Sequence, residues 1–133
     1  MNVVAFDLDG TLEDSRQDMV ASVQRVRRAF ELPPGEPHEF VSHVNKGMLH
    51  LYTACFRELW ANEQPKGDGL EELSRAYHAD YLSHIADSTI PYPGIRDTLL
   101  AVACDAKLAV VTNKPEALSV ALLEALKLDH FFE

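Results

Sequence analysis

The stretch that decides the fold spans residues 3–12 and reads VVAFDLDGTL. It begins as a continuous apolar run, which is typical of a parallel β-strand covered on both faces. Two carboxylates, Asp7 and Asp9, follow at the end of this run. Because ligands of open α/β sheets bind beyond the carboxyl ends of the strands, we expect both carboxylates to border a functional site.

The side chains at this strand end suit phosphoryl chemistry supported by a hard metal ion. Two neighbouring carboxylates repel each other unless a cation lies close by, and their oxygens are ligands that Mg²⁺ prefers. One carboxylate can attack phosphorus while a second relays protons. Gly10 permits a turn whose N–H groups approach an anion, and Thr11 can orient that turn. An ordinary Asp-Gly turn after a strand is the alternative.

A second apolar run lies in residues 107–115, which read KLAVVTNKP. Pro115 suits the first turn of a helix, so Thr112 and Asn113 are candidates to bind a phosphate at the positive end of that helix. Simple capping of the helix by these two side chains is the alternative. Lys114 is expected to be a solvated lysine at the helix start.

These residues carry a family resemblance. The D-L-D-G-T-L run resembles the first signature of the haloacid dehalogenase superfamily of phosphohydrolases. The Asp14-Ser15 pair resembles the D-S that opens the cap helix in its phosphoglycolate phosphatase-like branch. Residues 107–115 resemble the second signature, and residues 91–95, which read PYPGI, resemble the re-entry from cap to core.

The resemblance implies a fold and a mechanism. The fold is α/β, a partial Rossmann-like parallel-sheet core with an inserted all-helical cap. Asp7 is implied as the nucleophile and Asp9 as the general acid/base, with Mg²⁺ held by the Asp7 carboxylate and the Asp9 backbone carbonyl. Thr112 is implied as the phosphate-binding hydroxyl, with Asn113 and Gly10 nearby. The expected substrate is a small phosphorylated metabolite, and phosphoglycolate is the first candidate.

Helical periodicity locates the cap. Apolar residues recur at helical spacing through residues 15–88, whereas residues 1–14 and 89–133 carry the strand-like runs. We therefore predict a core of residues 1–14 and 89–133, in which strands 3–8 and 107–112 are parallel neighbours. A long helix is expected around residues 49–60. The turn Asn45-Lys46-Gly47 resembles the substrate-specificity loop of the family, and a plain interhelical turn is the alternative.

The third and fourth signatures of the family, a lysine and an acidic G-D-x-x-x-D motif, do not occur in the 133 residues. We therefore expect an impaired Mg²⁺-dependent phosphatase that acts through an aspartyl-phosphate. The alternative is a non-catalytic fragment or binding module of the same descent. Self-association through the incomplete sheet is expected in either case.

The composition of the chain argues against several classes of protein function. A formal net charge of −9 argues against general nucleic-acid binding, and no apolar run is long enough for a bilayer. No signal peptide is visible, and Cys55 and Cys104 are expected to be buried free thiols, which favours a cytoplasmic protein. His38, His43 and His50 lack the paired spacing of zinc sites.

Overall fold

A computed structural model describes residues 2–61 and 63–132. The chain divides into a core unit, residues 1–15 with 85–133, and a helical unit, residues 16–84. The regular elements follow in chain order as β1 (Val3–Phe6), α1 (Arg16–Ala29), α2 (Pro37–Phe40), α3 (Met48–Cys55), α4 (Gly67–Ser83), α5 (Ile95–Ala103), β2 (Lys107–Val110) and α6 (Glu116–Ala125). Short 3₁₀ turns occupy Arg57–Leu59 and Asp129–Phe131.

The sheet of the core unit pairs β1 with β2 in parallel, so the predicted pairing is confirmed. Val3 lies opposite Lys107 and Phe6 opposite Val110. The Val111 N–H donates to the Phe6 carbonyl at 2.8 Å, which carries the register one step beyond the strands. The carboxyl ends of both strands therefore lie at one edge of the sheet.

A leucine-rich cluster forms the hydrophobic core of this unit. Leu8, Leu12, Leu99, Leu122 and Leu128 are completely buried in it. These side chains come from the turn after β1, from α5, from α6 and from the turn that follows α6. The core thus anchors the segment that carries the two aspartates.

The expectation that β1 is covered on both faces is wrong for the described residues. Val4 and Phe6 pack against the leucine cluster, whereas Val3 is 63% exposed and Ala5 is also exposed. Because side chains alternate along a strand, this pattern means that the cluster covers one face of β1. The apolar run itself gave no alternation by which this could be recognised.

The helical unit is built on amphipathic helices, as the periodicity predicted. In α1, Met19, Val20, Val23 and Val26 are buried at helical spacing. The predicted long helix over residues 49–60 is wrong in length, because α3 ends at Cys55 and a 3₁₀ turn follows. The break falls at Phe56, whose φ of −132° and ψ of 31° leave the helical region.

The two cysteines differ in their environments. Cys55 is buried at the end of α3, as expected, and burial raises the pKa of its thiol to about 12. The expectation that Cys104 is buried is wrong: it caps the carboxyl end of α5 and is exposed. Within residues 2–61 and 63–132, no helix has both the length and the apolar character needed to cross a bilayer.

Candidate active site

Asp7 and Thr112 follow the ends of the two paired strands. Asp7 comes directly after β1, and its Oδ1 accepts a hydrogen bond from the Leu8 N–H at 2.7 Å. Thr112 lies two residues beyond β2 and is half-buried, while Asp7 is exposed. Both residues thus stand at the sheet edge where open α/β proteins bind ligands. Their convergence on one pocket stays a prediction.

A tight turn brings the chain back after Asp9. The Leu8 carbonyl accepts hydrogen bonds from the Thr11 N–H at 3.2 Å and the Leu12 N–H at 2.9 Å. The Gly10 N–H donates to the Glu13 carbonyl at 2.7 Å, and Gly10 has a φ of +82°, which favours glycine. Gly10 is exposed at the tip of this turn.

The Asp9 carboxylate is held by two donors. Ser15 Oγ donates to Asp9 Oδ1 at 2.8 Å, and Lys114 Nζ donates to Oδ2 at 3.0 Å and to Oδ1 at 3.3 Å. Burial by itself would raise the pKa of Asp9. The proton of the neighbouring Glu13 carboxyl, the Lys114 ammonium and the Ser15 hydroxyl all favour the ionised form of Asp9. Together they outweigh burial and hold the pKa of Asp9 below its ordinary value.

Lys114 is the residue that sequence reasoning misjudged. It was expected to be solvated, but its side chain is only 2% exposed. Two facts explain the error: α6 begins at Glu116, so Lys114 belongs to the strand-end loop, and the partly buried Asp9 carboxylate needs a counter-ion. Its position just after a strand neighbouring β1 was the signal that could have identified it.

Glu13 is a second feature that sequence reasoning left aside. Its side chain is completely buried, and among the described residues no hydrogen bond of ordinary geometry reaches either carboxyl oxygen. Burial, and then the adjacent Asp9, raises the pKa of Glu13 to about 9. Glu13 is therefore neutral at pH 7, beside an Asp9 carboxylate that remains ionised.

The oxygen donors at this edge suit a hard cation. Asp7 offers an exposed carboxylate, whereas the Asp9 carboxylate is already paired with Lys114. The role of the Asp9 backbone carbonyl as a Mg²⁺ ligand stays a prediction. Within the described part of the chain, no three His, Cys, Asp or Glu side chains are grouped to hold a metal ion.

The other predicted site residues are distributed as follows. Asn113 is exposed beside Thr112. Asn45 and Lys46 are exposed in the helical unit, and Gly47, with a φ of +91°, precedes α3 and accepts the Leu51 N–H at 3.1 Å. This geometry suits both a substrate loop and a plain interhelical turn, so a role in substrate binding stays a prediction.

The histidines do not form a three-membered group in the described residues. His43 Nδ1 and His50 Nε2 lie 2.9 Å apart, while His38 is exposed on α2. The ring centroids of the pair are 5.1 Å apart, so the rings meet nearly end to end, as in a direct imidazole–imidazole hydrogen bond.

Comparison with known proteins reveals relatives over nearly the whole chain. The model of haloacid dehalogenase-like hydrolases matches residues 4–133. A phosphoglycolate phosphatase from Chromobacterium violaceum is 40% identical, over 98% of this chain and 60% of its own length. A phosphoglycolate phosphatase from Caulobacter vibrioides is 36% identical, over 98% of this chain and 54% of its own length.

A solved structure agrees with these relatives. The crystal structure of a predicted phosphoglycolate phosphatase from Haemophilus somnus superimposes with a TM-score of 0.80 at 28% identity. The superposition covers 99% of this chain and 60% of that one. The chain therefore spans between 54% and 60% of the length of these three relatives. With the aspartate turn and the second strand end in place, the chain belongs to the haloacid dehalogenase-like hydrolase family.

Proposed function

We propose that the chain supplies the nucleophile, the acid/base group and the phosphate-binding hydroxyl of a Mg²⁺-dependent phosphomonoester hydrolase. The observation that carries this proposal is the strand-edge arrangement: an exposed Asp7, with Asp9 and Thr112 both in contact with Lys114. The identity to phosphoglycolate phosphatases makes phosphoglycolate the first substrate to test.

The proposed reaction runs in two displacements. An Asp7 carboxylate oxygen attacks phosphorus, the bond from phosphorus to the ester oxygen breaks, and a proton from Asp9 neutralises the departing alkoxide. Asp9 then removes a proton from water, which attacks the aspartyl-phosphate and releases inorganic phosphate and Asp7. Mg²⁺, held by the Asp7 carboxylate and the Asp9 carbonyl, would offset the charge of the phosphoryl oxygens.

The polar groups of the site have two proposed tasks, which are to bind the phosphoryl oxygens and to transfer a proton. The Thr112 hydroxyl and the Asn113 amide are proposed to bind the phosphoryl oxygens. Gly10 is proposed to shape the turn beside the phosphate, because its own N–H already donates to the Glu13 carbonyl. Asp9 must carry a proton when the ester oxygen departs, although its resting pKa is lowered. The negative charge of a bound phosphomonoester raises the pKa of a neighbouring carboxyl, so substrate binding itself favours protonation of Asp9.

The test is Mg²⁺-dependent hydrolysis of phosphoglycolate and of a generic phosphomonoester by the 133-residue polypeptide. We expect little or no turnover, because the third-signature lysine and the fourth-signature carboxylates would have contributed charge and metal ligands. Asp7→Asn should abolish the remaining turnover, and Asp9→Asn should reduce it strongly. Asp105→Asn, at an exposed aspartate after α5, is the matched control and should leave turnover unchanged.

Labelling separates the catalytic proposal from its alternative. With a radiolabelled phosphomonoester, the wild-type polypeptide should retain a phosphoryl group that Asp7→Asn does not retain. Turnover that survives unchanged in Asp7→Asn would exclude the covalent mechanism. Absence of both turnover and label would favour a non-catalytic binding module.

Self-association through the sheet is a separate proposal. Val3 exposes an apolar side chain on β1, and β1 pairs only with β2 among the described strands. An unpaired edge with apolar side chains favours association between copies. Light scattering should show a mass above that of the monomer, and Val3→Lys should lower it.

A further inference from the structure

We propose that Lys114 is a positioning residue that fixes the acid/base carboxylate and the phosphate-binding hydroxyl to one point. The roles of Asp9 and Thr112 in this statement rest on the proposed function. The contacts themselves do not, because they join the ends of two neighbouring strands through a single side chain and its own backbone N–H.

The first set of contacts is made by the Lys114 ammonium. Nζ contacts both oxygens of Asp9, at 3.0 and 3.3 Å, while Ser15 Oγ donates to Oδ1 at 2.8 Å. Donors on two sides of a carboxylate fix its plane, and a side chain that is 2% exposed has little room for another rotamer. Removal of the ammonium therefore takes away the donor on one side of the Asp9 carboxylate and leaves the Ser15 bond as a pivot about which it can turn.

The second set of contacts is made by the Lys114 backbone. Its N–H donates to Thr112 Oγ1 at 3.2 Å. A hydroxyl oxygen that accepts this bond still has its own proton to donate, so Thr112 can donate to a phosphoryl oxygen. The main chain thereby restrains the Thr112 side chain and leaves its hydroxyl proton available to a phosphoryl oxygen.

Helix α6 anchors the backbone of Lys114. Ser119 is buried, and its Oγ donates to the Lys114 carbonyl at 3.3 Å and to the Pro115 carbonyl at 3.1 Å. The loop between β2 and α6 is thus tied to the first turn of the helix. A motion that displaced Lys114 would break contacts to Asp9, to Thr112 and to Ser119 together.

The charge of Lys114 serves two carboxyls. Its ammonium lies close enough to Asp9 and to Glu13 to lower the pKa of each relative to burial alone. A compact ammonium suits this place better than a planar guanidinium, which requires a wider site for its five donors. Lys114→Arg should therefore restore only part of what Lys114→Met removes.

The test is a double-mutant cycle that does not depend on turnover. Lys114→Met should lower the urea midpoint of unfolding in the wild type. In an Asp9→Asn background the same substitution should lower it by about half as much or less, because the partner charge is gone. Lys107→Met, at an exposed lysine of β2, should give the same small change in both backgrounds. Equal losses from Lys114→Met in both backgrounds would overturn the proposal.

A kinetic readout tests positioning itself. Where turnover is measurable, Lys114→Met should lower kcat about tenfold or more and leave KM within about twofold, with partial rescue by Lys114→Arg. A loss confined to KM would make Lys114 a substrate-binding residue and contradict the positioning role. If the 133-residue polypeptide shows no turnover, the double-mutant cycle alone decides whether Lys114 holds Asp9. If Lys114→Met does not fold, Lys114→Gln serves in its place.

Discussion

Each unit of the molecule buries a basic side chain against carboxyl groups, and the two arrangements differ in the number of carboxyl groups that face the cation. In the helical unit, Arg27 donates to both oxygens of Glu58, at 2.9 and 2.5 Å, and to the carbonyls of Cys55 and Pro33, each at 2.7 Å. In the core unit, Lys114 faces two carboxyls, Asp9 and Glu13. One cation thus has one carboxylate in the first case and two carboxyls in the second.

The pKa values show what this difference does. Hydrogen bonds from Arg27 hold the pKa of Glu58 at about 2, so that pair stays ionised over the ordinary pH range. Burial raises the pKa of Glu13 to about 9, so this carboxyl keeps its proton. A pKa lowered by a basic partner marks a carboxylate that stays ionised in an ion pair, whereas a buried carboxyl whose raised pKa keeps it protonated at pH 7 is more typical of functional sites. We therefore interpret Arg27 with Glu58 as a stabilising ion pair, and Lys114 with its two carboxyls as part of a candidate functional site.

The largest expected effect comes from breaking the ion pair of Arg27 with Glu58. Arg27→Met should lower the free energy of unfolding of the helical unit by about 3 kcal/mol, because a buried cation and its hydrogen bonds to two carbonyls are lost together. Urea unfolding followed by the fluorescence of Trp60, the single tryptophan, measures this unit directly.

The matched control lies two residues away on α1. Arg25 pairs with Asp80 at 2.9 Å, and the two side chains are 32% and 23% exposed. Arg25→Met should therefore cost about 1 kcal/mol or less. Similar losses for the two variants would mean that the burial of Arg27 adds nothing.

The sequence predicted the parts of this comparison that depend on periodicity and on strand ends. The two apolar runs predicted that β1 and β2 pair in parallel, and helical spacing predicted which residues of α1 are buried. The ionic interactions were out of reach, because they depend on contacts between distant positions. Lys114 is 105 residues from Asp9, and Arg27 is 31 residues from Glu58. Local pattern also failed at Phe56, where the backbone leaves the helix although the apolar spacing continues.

The second largest effect that we expect concerns Glu13 in the core unit and the pH dependence of the free energy of unfolding. In the folded chain Glu13 is neutral up to about pH 9, whereas unfolding returns its pKa to about 4.5. The unfolded state binds fewer protons between these values, so this group lowers the free energy of unfolding as pH rises from 4.5 to 9. Glu13→Gln removes that titration. It should be more stable than the wild type by about 2 kcal/mol at pH 8 and equal to it near pH 4.

Urea unfolding by circular dichroism, in buffer without divalent cations, measures this pH dependence. Glu124→Gln, at an exposed glutamate of α6, is the control and should follow the wild-type pH curve. A Glu13→Gln variant less stable than the wild type at pH 8 would show that the carboxyl is ionised and favourably paired.

The smallest expected effect concerns the hydrogen bond between His43 and His50, to which no carboxylate of residues 2–61 and 63–132 contributes. Burial, and then the charges of His50, Lys46 and Arg57, lowers the pKa of His43 below 6.5. The unfolded state therefore binds more protons just below pH 6.5. The hydrogen bond stabilises the folded chain fully above that pH and is lost as pH falls through the folded pKa.

Replacement of one ring separates this titration from other acid effects. His50→Gln keeps a donor and an acceptor that do not titrate, so wild type should lose about 0.5 kcal/mol more than this variant between pH 7 and pH 5. Trp60 fluorescence during urea unfolding reports the helical unit, and His78→Gln on α4 serves as the control. If wild type and His50→Gln lose the same stability, the imidazole contact is not a pH-dependent element.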